Sequence, residues 1–235
     1  MNAHDGEAGF APLGWMDVTS TRLDVSLDFY RQLFPWQREI LNDAHSPGYS
    51  FLRSEGHVVA GAEPIPEEKG PPVWTVMVVA DDADATVGQA VSRGGVVTYP
   101  VGPILDLGRI AMVRDPQGAI IGVWEPGTYR PLDVPAVPGR LVGAEIVTPD
   151  AAATCAFYEE VFGWRRADAS NQMDAGVPVR VVEREGPALW TPVLHIPAAA
   201  DLAGRLLRAG GQVIVGSEPV DARDPMGARL LLQEA

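Results

Sequence analysis

The hydrophobic pattern changes period along the chain, and it does so in the same order twice. Leu13 to Thr19 alternates, which predicts a strand with Trp15, Asp17 and Thr19 on one face. Leu23, Leu27, Tyr30, Leu33 and Phe34 recur at helical spacing, so a helix is predicted from about Arg22 to Phe34, capped by Thr21 or a neighbour and stopped by Pro35. Short strands follow around Gln37–Ile40, Tyr49–Arg53 and His57–Gly61, making a βαβββ unit. A turn-rich stretch from Pro64 to Pro72 precedes a β-branched run, Val73 to Val79, suited to a buried strand. A second helix starts at Asp82-Ala83-Asp84 and runs to about Arg93, where Gly94-Gly95 supplies the positive φ of a C-terminal cap. Strands near Val96–Tyr99, Arg109–Val113 and Ala119–Trp124 complete a second βαβββ unit, with Asp115-Pro116-Gln117-Gly118 as the turn of its last hairpin.

The phrase Phe29-Tyr30-Arg31-Gln32-Leu33-Phe34-Pro35-Trp36 returns as Phe157-Tyr158-Glu159-Glu160-Val161-Phe162-Gly163-Trp164, so the chain is a duplication. Trp74-Thr75 returns as Trp190-Thr191, Gly94-Gly95 as Gly210-Gly211, and Asp115-Pro116 as Asp224-Pro225. The spacing between copies shrinks along the way, which predicts a shorter and more open sheet in the second copy, by about one strand with its turn. Four prolines and two glycines between Pro126 and Gly139 read as a semi-rigid connector. The expected organisation is a loose tail over 1–12, a first domain over 13–127, a linker over 128–140 and a second, shortened domain over 141–235.

Composition narrows the function classes. With 235 residues and 46% hydrophobic content, the chain is long enough for two modest cores. A formal net charge of −13, with Lys69 the one lysine, argues against nucleic acid and anionic membrane surfaces as partners. Cys155 has no cysteine to pair with, and its place in a helix makes it a small core residue, so a reducing compartment is expected. No stretch approaches the ~20 apolar residues of a membrane span, and Met1 to Gly9 lacks the pattern of a signal peptide. The expectation is a cytoplasmic protein, monomeric with a weak homodimer possible.

Phe-Tyr-x-x-x-Phe-x-Trp after a strand, Asp-Asp-Ala-Asp-Ala before a helix ending in Gly-Gly, and Asp-Pro-x-Gly in a last hairpin together resemble the vicinal oxygen chelate superfamily, which holds glyoxalase I, bleomycin resistance proteins and extradiol dioxygenases. The resemblance covers nearly the whole chain and is nearest to tandem glyoxalase-like proteins. It implies an α+β fold in which paired βαβββ units wrap into incomplete barrels around a cup. In enzymes of the family the cup usually holds a divalent metal. The positions that would supply its ligands fall here on Trp15 and Gly143, at or near Thr75 and Thr191, and on Gly122 and Leu231. A transition metal needs three or four converging imidazole or carboxylate groups, so no metal and no cofactor are expected.

What the cup would contain follows from strand parity. Trp15 shares a face with Asp17, and Gly143 with Glu145, so each copy offers one carboxylate as a general acid/base or as an anchor for a ligand's hydroxyl or amine. Trp15, Trp74, Trp124 and Trp190 are candidates to stack on a planar ligand, although large aromatics on strands also serve as core. His195, which aligns with Val79, is either a structural histidine or a proton carrier. Two readings stay open. One is a metal-independent binding protein that sequesters a bulky, partly apolar metabolite in a Trp- and carboxylate-lined cup, in the manner of bleomycin resistance. The other is a metal-free isomerase, cyclase or lyase of specialised metabolism using Asp17 or Glu145. A metal-dependent lyase or dioxygenase ranks third.

Overall fold

The computed structural model describes residues 9–41, 47–132, 134–167, 171–215 and 219–234. Four βαβββ modules follow one another along the chain. The first is β1 (Leu13–Ser20), α1 (Leu23–Leu33), β2 (Trp36–Ile40), β3 (Ser50–Ser54) and β4 (His57–Pro64). The second is β5 (Val73–Val79), α2 (Ala83–Ser92), β6 (Val96–Ile104), β7 (Gly108–Arg114) and β8 (Ile120–Pro126). The third is β9 (Leu141–Thr148), α3 (Ala151–Phe162), β10 (Arg165–Arg166), β11 (Gln172–Asp174) and β12 (Pro178–Glu183). The fourth is β13 (Leu189–Ile196), α4 (Leu202–Arg208), β14 (Gln212–Val215), β15 (Val220–Arg223) and β16 (Arg229–Glu234).

Two eight-stranded mixed sheets result, ordered β2-β3-β4-β1-β5-β8-β7-β6 and β10-β11-β12-β9-β13-β16-β15-β14. Neither closes into a barrel. The second copy keeps all eight strands. Its missing residues come out of strand length, since β14 and β15 have four residues each where β6 has nine and β7 seven, so no strand with its turn is lost.

The helix ends follow local chemistry. Asp82, Asp150 and Asp201 each accept the backbone N–H three residues on and cap α2, α3 and α4. Thr21 does not cap α1; the N-cap residue is Arg22, and its side chain makes no capping bond. Pro35 ends α1 with Phe34 extended, whereas α3 ends on Gly163 in the left-handed conformation. Ala11 and Pro12 are tied down: the Ala11 N–H donates to the Phe162 carbonyl, and the Val79 N–H donates to that of Pro12.

The chain divides into two compact units that cut across the copies. Unit 1 holds residues 1–15, 76–132 and 143–190, so it joins the second module to the third. Unit 2 holds residues 16–75, 133–142 and 191–235 and joins the first module to the fourth. In unit 2 one core takes Met16 and Val18 of β1, Leu27 and Tyr30 of α1, Leu194 of β13, Leu206 of α4, and Leu230 and Leu232 of β16.

The repeated phrases build one device in each unit. In unit 2 the Trp74 indole N–H donates to the Tyr30 hydroxyl at 2.8 Å, and that hydroxyl donates to Asp224 at 3.2 Å. In unit 1 Trp190 donates to Tyr158 at 3.0 Å and Tyr158 to Asp115 at 2.9 Å. Each tyrosine therefore takes its aspartate from the other copy of the repeat. Trp36 packs on Tyr30 and Trp164 stacks on Tyr158, with ring centroids 5.5 and 5.0 Å apart. A buried hydroxyl and indole each need a partner, and this arrangement satisfies both inside an aromatic core. Burial, and then the aspartate's charge, push both tyrosines well above the usual phenol range.

Candidate functional site

In β1 the even residues Met16 and Val18 enter the unit 2 core, which puts Trp15, Asp17 and Thr19 on the opposite face. On a flat sheet that face would be wet, yet Asp17 is only 8% exposed. Its carboxylate accepts from the Tyr49 hydroxyl at 2.9 Å. Gly61 lies opposite Asp17 in the parallel β1–β4 register, and a Cβ there would fall inside the contact distance of both Asp17 Oδ1 and Tyr49 Oη. The glycine is the space into which this polar pair is folded. Phe51, opposite Gly61 on β3, packs edge-on against Tyr49. Glu63 stands opposite Thr19 on the same face, and burial raises its pKa despite the opposing pull of Lys69.

The fourth module adds a second polar group to unit 2. Arg229 grips Asp221 with Nε at 3.0 Å and Nη2 at 2.8 Å, while Nη1 donates to the Thr191 hydroxyl at 3.0 Å. Both charged side chains are only 13% exposed. His195 is half-buried on the same parity of β13 as Thr191; its backbone N–H donates to the Arg140 carbonyl, and burial and then the Arg140 charge lower its imidazole pKa.

Unit 1 has different chemistry. Glu145 is the register partner of Arg180, which donates to it, and the carboxylate side chain is 4% exposed against 50% for the guanidinium. Where the first copy sets its acid opposite a glycine, the second sets it opposite an arginine. Trp15 packs against Trp124 and Tyr129 with centroids 6.4 and 5.6 Å apart, and the Trp124 indole donates to the Tyr129 carbonyl. Trp74 and Trp190 lie in the aromatic cores as partners of Tyr30 and Tyr158. The sequence-derived candidates therefore fall on two sheets: Trp15 and Asp17 share one face of β1, with Trp124 of β8 against Trp15, whereas Glu145 and His195 stand on β9 and β13 of the second sheet. Cys155 is buried in α3, and its thiol pKa is raised by that burial.

The positions that the family's metal would use do not fit one. Trp15 and Gly143 offer no donor, Gly122 is covered by the Met77 side chain, and the Thr191 hydroxyl is engaged by Arg229. Among the described residues no three His, Cys, Asp or Glu side chains gather as a metal site.

Sequence reading missed Tyr49, Gly61, Arg180, Asp221 and Arg229. The last two were visible in principle: matching the copies at Asp115 and Asp224 puts Asp221 on Met112 and Arg229 on Ile120, two apolar residues replaced by opposite charges across one hairpin.

Folds of this kind, with polar groups buried on the face away from the core, define a superfamily of small-molecule proteins, and the chain belongs to it: the profile of the Glyoxalase/Bleomycin resistance protein/Dioxygenase superfamily matches residues 13–123 and 140–214. CFP32 of Mycobacterium tuberculosis, named as a candidate glyoxylase, is 30% identical over 91% of both chains. The anthracycline biosynthesis protein DnrV of Streptomyces peucetius is 34% identical over 68% of this chain and 64% of its own. The Mn(II)-bound glyoxalase of Novosphingobium aromaticivorans shares the fold at a TM-score of 0.66 and 15% identity, covering 96% of this chain and 83% of that one. No helix among the described residues is long and apolar enough to cross a membrane.

Proposed function

We propose that the face of β1 and β4 away from the core binds a bulky, partly apolar aromatic metabolite, with Asp17 as its anchor, and that the protein works without a metal. The observation that carries this reading is the Asp17–Tyr49 pair, a carboxylate and a phenol buried over Gly61 on the face away from the core. Burying a carboxylate costs free energy, which favours a functional role for one held on the face away from the core. Glu145 is neutralised by Arg180 and is the weaker candidate of the two. The names of the Streptomyces relatives support a ligand of the fused-ring, oxygen-rich kind handled in anthracycline biosynthesis.

Those names also favour a second reading, in which the bound metabolite is transformed. Asp17 would then take or give one proton, with Tyr49 holding the carboxylate in place and donating to it. No step needs a metal in this scheme. Positioning together with one acid/base group suffices for an isomerisation or elimination.

The test is a titration of a hydroxyanthraquinone into the protein, read by tryptophan fluorescence. Asp17→Asn is expected to weaken binding at least tenfold, about 1.4 kcal/mol, with little change in melting temperature. Wild-type affinity in that variant would remove Asp17 from the site. Product analysis of the same mixtures separates binding from turnover.

A further inference from the structure

We infer that Glu63 is a second ligand anchor on the face of β1 and β4 that carries Asp17, and that it donates a carboxylic O–H to a carbonyl oxygen of the ligand. The inference rests on the proposal that this face is the binding face.

The duplication supplies an internal control. Ser20 meets Ser26 through their hydroxyls as Thr148 meets Thr154, so β1 and β9 correspond residue for residue. Across from them Ser20 pairs with Pro64, and Thr148 with Glu183. Glu183 has a structural task, since it accepts the Ala151 N–H where α3 begins. Glu125 does the same for Ala83 of α2, and Glu234 for Ala199 ahead of α4. In the first module that place falls to Pro64, which has no carboxylate, and the acid stands one residue earlier. A shift of one residue along a strand turns the side chain to the other face. Glu63 therefore leaves the helix side of the sheet and stands opposite Thr19, two residues along from the Asp17–Gly61 pair. The third module carries Val147 and Val182 in the places of Thr19 and Glu63, and Val182 and Glu63 are both half-buried. The strand pair forms with a valine there, so the acid is not a requirement of the architecture.

The surroundings of Glu63 narrow what it meets. Burial disfavours its charged form; the charge of Lys69, exposed on the turn Glu67–Lys69, opposes this without offsetting it, and no hydrogen bond to the carboxyl acts on it. Glu67 and Glu68 on the same turn are exposed to solvent. The other titratable groups on this face are Asp17, on β1, and Tyr49, just before β3, and these two are bonded to each other. Asp17 is thus a fixed acceptor, whereas a protonated Glu63 presents a donor. A half-buried donor without a partner gains most from an acceptor oxygen that arrives with a ligand. By strand spacing and rise the Cα atoms of the two acids lie about 8 Å apart. A rigid fused-ring ligand spans that distance, setting a hydroxyl on Asp17 and a carbonyl on Glu63.

The experiment compares two uncharged three-ring probes by tryptophan fluorescence: 2-(hydroxymethyl)anthraquinone and 9-anthracenemethanol, which lacks the quinone oxygens. At pH 5.5 the wild type is expected to prefer the quinone about tenfold, the worth of one hydrogen bond to an otherwise unpaired group. The preference should shrink by pH 8, because the donor is lost as pH rises through the folded pKa of Glu63. Glu63→Gln keeps a neutral donor and is expected to hold the preference at both pH values. Glu63→Val installs the third module's residue and is expected to keep the melting temperature and lose the preference at both. A preference that survives in Glu63→Val, that is absent in Glu63→Gln, or that stays level or grows with pH in the wild type overturns the inference. Asp17→Asn separates the two claims: if it binds both probes like the wild type while the preference follows Glu63, Glu63 stands and Asp17 does not. If the wild type binds neither probe, both fall.

Discussion

Asp115 accepts from the Gln117 and Ala119 N–H groups and from the Tyr158 hydroxyl, yet burial outweighs these bonds and raises its pKa. The sign of the pH effect follows. A carboxyl whose folded pKa is raised contributes stability that is present below its unfolded value, near 3.9, and lost as pH rises through the folded value. For Asp115 alone, acidification from neutral pH favours the fold. In Asp115→Asn the group no longer titrates, so the cost of the substitution is expected to be greater at pH 4.5 than at pH 7, as measured by urea midpoints at both. An equal cost at the two pH values would show that Asp115 titrates alike in the folded and unfolded chain. Asp17 differs in kind, because it lies on the face away from the core and its partner, Tyr49, comes from just before β3. Sequence parity located Asp17, but it could not locate Tyr49, whose approach depends on Gly61 leaving room across a strand pair.

Element boundaries were largely legible, because punctuation residues set them. Pro35, Asp82, Gly94 and Asp150 act where their chemistry predicts. Of Thr21 and its neighbours, it is Ser20 that closes the turn into α1, its hydroxyl accepting from the Arg22 N–H and from the Ser26 hydroxyl. The lost strand in copy two was a misreading of length: a hairpin shortens symmetrically, a few residues from each arm, without losing a partner. Gly163 offers a clean test of how α3 ends. Its φ is +67°, and a Cβ would stand 2.7 Å from the Gly9 carbonyl oxygen. Gly163→Ala is expected to destabilise the protein by about 1–2 kcal/mol, combining left-handed strain with that close approach. Thermal unfolding should then move down by a few degrees. An unchanged transition would mean that the end of α3 shifts freely to accommodate the methyl group.

At the scale of the whole molecule, the repeat revealed four modules but not their partnership. Tyr30 could have met Asp115 or Asp224 with equal support from spacing, because both aspartates sit in the same hairpin motif. Packing decides for Asp224, and with it for a unit 2 assembled from the first and fourth modules. Cutting the chain at Asp133 therefore separates each tyrosine from its aspartate. Fragments 1–132 and 134–235 are each expected to lack a cooperative thermal transition alone and to regain one on mixing, followed by circular dichroism. A wild-type-like transition in either fragment by itself would contradict the crossed pairing.

Crossed pairing also has a consequence during synthesis. The first module leaves the ribosome early, but the core it belongs to is completed by Leu194, Leu206, Leu230 and Leu232. At about 5–20 residues per second, the wait between the first module and the last strand is roughly ten to thirty seconds. Over that interval Tyr30, Phe34 and Trp36 have no lasting cover, while unit 1 can already close behind them. Nascent chains stalled near Trp190 should bind holdase chaperones through the first module and release them once the fourth has emerged, which makes the order of translation part of how this duplicated chain avoids aggregation.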